Sequence, residues 1–177
     1  MPTASDKSRA RSLHCQQLDG NPAASQLAAS GNRHYQRHGT GAVFEYTGTP
    51  MFGWLTLDVN PATTQIVADG NELCQRHETS GAIFRYTGTP LTGWEFLVFA
   101  GSSATRIDAG GGVMYQFRLT NGEILRHLGG TSWDTVDTDL RTLEISGGVE
   151  QMSHLRLPGR PIPVMIASSS THLRSAR

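Results

Sequence analysis

The chain has 177 residues, with 15 Lys and Arg balancing 15 Asp and Glu, and it carries 20 glycines but only 2 cysteines. The excess of base is confined to the two ends, so residues 15–146 are mildly acidic, a poor surface for nucleic acid, which wants clustered Lys and Arg. Val164–Ala167 is too short to span a membrane, and Met1–Ser12 lacks the apolar stretch of a secretory signal, so the residues leave the location open between the cytoplasm and export by another route.

In chain order, residues 1–14 read as a basic extension and residues 15–146 as a series of repeats. The strongest evidence is a duplicated decapeptide. Gly41–Pro50 is GAVFEYTGTP and Gly81–Pro90 is GAIFRYTGTP, differing only at Val43/Ile83 and Glu45/Arg85. Trp54, Trp94 and Trp133 recur near a period of 40, Leu18-Asp19 matches Leu57-Asp58, and Asn21-Pro22 matches Asn60-Pro61. Gln36, Gln75 and Gln116 share a column, preceded by Tyr35, Cys74 and Tyr115, while His38 and His77 align with Arg118. The units are 15–53, 54–93, 94–132 and a partial 133–146. A period of this length marks a repeat architecture.

Within a unit the segments are short, rich in β-branched or aromatic residues and punctuated by turn residues. In the second unit they are Gln65–Asp69, Glu72–His77, Ala82–Thr87 and Trp94–Val98. No long amphipathic helical stripe is present. Four short strands per ~40 residues predict an all-β, β-propeller-like array of four-stranded antiparallel blades, about three blades plus partial ones. The inner strands are expected at Ser25–Ser30, Thr64–Asp69 and Ala104–Ala109, with a leftover outer strand at Cys15–Asp19 and a leftover inner strand at Thr142–Ser146. Such an array is a strained ring, an open arc, or a unit completed by self-association. Residues 147–177, with Pro158, Pro161, Pro163 and Ser168–Ser170, are expected to be an irregular tail: either a terminal strand docking on a neighbour or the truncated end of a longer array.

The columns Asn-Pro, Tyr-Gln, Gly-Ala-Ile-Phe-x-Tyr-Thr-Gly-Thr-Pro and Gly-Trp, in that order, resemble the tectonin or tachylectin-like lectin propellers. The resemblance spans about Cys15–Ile145. It implies a non-catalytic, sugar-binding protein with glycans or glycoconjugates as partners, weak sites repeated by blade, and neither cofactor nor obligate metal. The chain departs from the pattern at Cys15 and Cys74, which replace aromatics, at Val98–Gly101, which replaces the Asp-x-Asn-Pro turn, and after Ile145.

The ligand-binding candidates are Trp54, Asp58, Asn60, His77, Arg85, Tyr86 and Trp94. A sugar needs an aromatic ring for its C–H face and fixed donors and acceptors for its hydroxyls. Each candidate has a plainer role available. Tryptophans fill the space between units, Asp58-Val59-Asn60-Pro61 is a turn capping its own backbone, and Arg85, Tyr86 and Glu45 stand on a strand surface. One His per unit does not converge on a metal, and one Asp per unit does not pair for acid–base work. No nucleophile motif, phosphate-cradling loop or His-Glu-x-x-His is present, so catalysis is not expected. A protein-interaction scaffold and a fragment of a larger repeat protein remain alternatives to the lectin.

Overall fold

A computed structural model describes residues 16–99, 105–147 and 152–156. Among these residues every regular element is a strand. The first sheet runs β1 (Ala24–Ser30), β2 (Arg33–His38), β3 (Val43–Tyr46) and β4 (Trp54–Asp58). The second runs β5 (Thr63–Asp69), β6 (Glu72–His77), β7 (Ala82–Tyr86) and β8 (Trp94–Phe99). The third runs β9 (Thr105–Gly110), β10 (Val113–Arg118), β11 (Glu123–Gly129) and β12 (Ser132–Thr138). The last is a two-stranded pair, β13 (Thr142–Gly147) with β14 (Met152–Arg156). All neighbours pair antiparallel in sequence order. The protein is an all-β array of meandering sheets.

The core lies between sheets, not within one. Tyr35, Val43 and Leu57 of the first sheet close on Ile66 and Leu73 of the second. Val67, Cys74, Ile83 and Leu97 of the second close on Ile107 and Met114 of the third, and Phe117 and Ile124 of the third close on Ile145. Leu73 and Cys74, like Ile66 and Val67, point to opposite faces, and each face meets a different layer. A strand buried on both faces has no reason to alternate apolar with polar. That is why β6 and β7 show no clean period of two in sequence.

Side chains on the inner strands lock each sheet to the next. Gln26 Nε2 donates to Ile66 O at 2.8 Å while Ile66 N donates back to Gln26 Oε1 at 2.9 Å. Gln65 repeats this with Ile107, at 2.6 and 3.0 Å. An edge-strand amide and carbonyl are thereby satisfied by one primary amide, which has a donor and an acceptor to offer. Ser30 Oγ donates to Gly70 O at 2.6 Å just beyond β5, and Gly147 N donates to Asp108 Oδ2 at 2.7 Å, which joins β13 to β9.

Two expectations need correction. Residues 16–19 of the expected outer strand Cys15–Asp19 are not in a strand, and Cys15 lies outside the described residues. They still do the work of an outer strand's end. Met51 N donates to Leu18 O as Leu91 N donates to Leu57 O, both at 2.8 Å. Gln36 Nε2 reaches Asp19 Oδ2 at 2.8 Å as Gln75 Nε2 reaches Asp58 Oδ2 at 2.7 Å. The segment keeps these contacts without forming a strand ladder among the described residues. The second correction is β14, which falls in the segment expected to be irregular. Its Arg156 pairs with Asp137 and, at 3.3 Å, with Asp139, charges that sequence distance concealed. Residues 157–177 and 1–14 lie outside the described residues.

Candidate functional site

The duplicated decapeptide ends in the loop between the third and fourth strands. Thr47 N donates to Gly53 O and Gly53 N to Thr49 O, both at 2.7 Å; Thr87, Thr89 and Gly93 repeat the pattern at 2.8 and 2.7 Å. A Cβ on Gly93 would stand 2.6 Å from both Thr89 N and Thr89 O, so only glycine closes this loop. Met51 and Leu91, at matching positions, take the left-handed backbone with φ of 70° and 67°. The most repeated string in the chain therefore has a local backbone cause.

The tryptophans divide. Trp94 packs against the layer between the first and second sheets, and its Nε1 donates to Leu57 O at 3.2 Å. Trp133 packs against the next layer. Each belongs to the later sheet of its layer, so the equivalent Trp54 belongs to the face of the first sheet that no preceding sheet covers among the described residues, although its Nε1 is buried. It is half-buried, with its ring centroid 5.2 Å from that of Tyr46. Tyr86 and Trp94 make the same pair at 5.1 Å.

Asp58 and Asn60 are engaged by their own turn. Val59 N and Asn60 N donate to Asp58 Oδ1 at 2.8 and 3.1 Å, and Ala62 N donates to Asn60 Oδ1 at 2.9 Å. The other Asp58 oxygen takes Gln75, whose Oε1 accepts from Thr63 Oγ1 at 3.0 Å. This buried chain links two sheets and leaves little for a ligand. His77 packs on Phe84 with centroids 4.5 Å apart. Burial pulls its pKa below the ordinary value, against the opposing pull of Asp58. Cys74 is a buried free thiol pushed up to about 12, chiefly by desolvation, and is no nucleophile at neutral pH.

Arg85 bridges Glu95 at 2.6 Å and Glu72 at 3.2 Å. In the first sheet the equivalent pair is reversed: Arg33 grips Glu45 through Nε at 2.7 Å and Nη2 at 2.9 Å. Glu45/Arg85, one of two differences between the decapeptides, is thus matched by Arg33/Glu72 on the neighbouring strand. Arg33 lies over the Tyr35 ring, 5.6 Å from its centroid, and Tyr86 of the second sheet packs against the layer that holds Tyr35. Burial raises the Tyr86 pKa, with Glu45 adding and Arg33 opposing. A seam results: the half-buried Tyr86–Trp94 pair from one sheet beside a bidentate ion pair from the other. Of the seven candidates the seam holds Tyr86 and Trp94. Arg85 belongs to the equivalent ion pair one sheet on, Asp58 and His77 to the strand ends, Asn60 to its turn and Trp54 to the uncovered face. Sequence reading missed Arg33, although its exact 39-residue offset from Glu72, with opposite charge, was a usable signal.

A second feature had no sequence signal at all. The four inner strands line an open pocket of about 570 Å³, whose wall includes Arg37, Arg76, Arg106 and Glu144. Among the described residues no group of His, Cys, Asp and Glu converges as metal ligands would, and no helix is long and apolar enough to cross a membrane.

The sheet array recurs in solved structures. Human WBSCR16 superposes over 76% of this chain with a TM-score of 0.55 and 12% identity. PorZ, a surface component of the type-IX secretion system of Porphyromonas gingivalis, superposes over 77% with a TM-score of 0.57 and 12% identity. The chain spans 45% of the first and 21% of the second. At this identity the likeness concerns the fold alone. No protein-family model and no curated protein matches the sequence.

Proposed function

We propose that this protein is a carbohydrate-binding, β-propeller-like repeat protein of the tectonin or tachylectin-like kind, non-catalytic and free of cofactors, whose sheets are blades. The observation that carries the reading is the seam of Tyr86, Trp94, Arg33 and Glu45. It sets an aromatic edge beside fixed charged donors and acceptors, the pairing that a sugar ring demands. A monosaccharide offers few atoms, so one seam binds weakly, with Kd of about 10 μM to 1 mM, and strength comes from several seams acting together. The test is a glycan array followed by titration of the best ligand. Arg33→Ala, a change at a partly exposed ion pair that leaves the core intact, is expected to weaken binding about tenfold or more. A folded wild type that binds no glycan would refute the reading.

Two observations favour other outcomes of that array. Phe52, at the tip of the loop after β3, is 89% exposed, an anchor suited to a protein partner and hence to a scaffold. Leu27 is 74% exposed where the equivalent Ile66 and Ile107 are 1% and 2%. The uncovered face of the first sheet is therefore built like the buried faces, which favours self-association to complete a ring.

A further inference from the structure

We propose that the pocket between the inner strands is a binding site for a small phosphate or sulfate ester. Its wall brings three guanidinium side chains together, Arg37 from the first sheet, Arg76 from the second and Arg106 from the third. Two carboxylates face them. Asp108 accepts from Ala109 N at 2.8 Å through Oδ1 and from Gly147 N at 2.7 Å through Oδ2, which occupies its oxygens but leaves its charge, and Glu144 stands beside it on the same wall. Arg37 and Arg106 form no ion pair with the described residues, although the other arginines of the third sheet, Arg118 and Arg126, each bridge a carboxylate on their own sheet.

The guanidiniums are held, and donors remain. Arg37 uses Nη1 for His38 O at 3.1 Å and Thr63 O at 3.3 Å, while its buried Nε has no partner among the described residues. Arg76 Nη2 donates to Thr64 Oγ1 at 2.9 Å, which fixes the side chain. Arg106 is exposed; burial lowers the Arg76 pKa, with Glu78 opposing and Arg106 adding as a like charge. Arg37 and Arg106 have no carboxylate partner among the described residues, so an oxyanion placed between them would meet guanidinium donors that no ion pair already occupies. Arginine forks match phosphate or sulfate oxygens two at a time. The volume exceeds that of an inorganic ion and suits a small organic ester.

The site does not rest on the sugar-binding reading, because it lies on the inner strands, away from the Tyr86–Trp94 seam. Inorganic phosphate is the probe, titrated by calorimetry against sodium chloride of equal ionic strength, with the arginine Nε–H resonances followed by NMR. The expected result is saturable binding that moves the Arg37 Nε–H signal. Arg106→Gln should weaken it about tenfold, and Glu144→Gln, which removes an opposing charge, should tighten it; both residues are exposed and neither change threatens folding. Arg126→Gln, a surface ion-pair variant, should match the wild type. The proposal is overturned if chloride reproduces the effect, if Arg106→Gln binds as well as the wild type, or if Arg126→Gln is equally impaired. Sulfate binding without phosphate binding would also reject a phosphate ester, leaving the sulfate ester.

Discussion

Gln116 shows how much a single column can depend on its partner. Gln36 and Gln75 each donate to an aspartate across the sheet boundary, Asp19 and Asp58. In the third unit the aspartate column holds Val98, and Gln116, 1% exposed, has neither its Nε2 nor its Oε1 bonded among the described residues. An unsatisfied buried amide costs free energy, whereas a satisfied one that is removed orphans its partners. Gln75→Leu should therefore destabilise the protein by about 2–3 kcal/mol, since it strands Asp58 and Thr63. Gln116→Leu should fall within about 1 kcal/mol of the wild type or exceed it. Urea midpoints of the two variants decide the matter: equal losses would mean that Gln116 has a partner after all.

Single strands carry compensations invisible to a motif. The second and third strands of the first sheet hold Arg33 against Glu45, and those of the second hold Glu72 against Arg85. Cross-strand pairs of opposite charge stabilise a sheet modestly, and like charges oppose it. Glu45→Arg alone should destabilise the first sheet, and adding Arg33→Glu should restore it, with a coupling of about 0.5–1 kcal/mol that shrinks in high salt. A double variant no better than the single one would show that the pair contributes nothing. The loop beyond obeys a harder constraint. Gly93→Ala must push its methyl into the Thr89 backbone, so a loss of about 1–3 kcal/mol is expected in the same urea measurement.

At the scale of the whole molecule the sheets are joined by a few side chains and a thin apolar layer each. Gln26 and Gln65 are equivalent links, and each protects one amide of the following sheet. Gln26→Ala should raise the exchange rate of the Ile66 amide at least about tenfold and leave Ile107 unchanged; Gln65→Ala should do the reverse. Exchange rising at both amides in both variants would mean that the array opens as one unit. The uncovered face of the first sheet sets the other whole-molecule property. Leu27 belongs to a column that is buried in the second and third sheets, each of which has a described sheet before it, and is 74% exposed in the first.

The repeat, the strand class and the approximate limits of most strands were legible because they are local and periodic. Turn glycines, β-branched runs and a period near 40 are written along the chain whatever its neighbours do. The packing role of Cys74 was legible too, since a small residue in an aromatic column still belongs to the layer. The candidate site was legible only in part. Trp94 and Tyr86 were found by repetition, but repetition could not tell a tryptophan packed against a layer from one on an uncovered face. That depends on which sheet comes before it. Asp58 and Asn60 looked free because the backbone amides and the Gln75 side chain that occupy them become visible only when the turn closes and two sheets meet. The arginine-lined pocket was hidden for the same reason. Arg37, Arg76 and Arg106 are separated by dozens of residues, and they share one space only because side chains on the inner strands draw three sheets around it. Local periodicity determined the elements; the packing of one sheet on the next decided which polar groups remain available to a ligand.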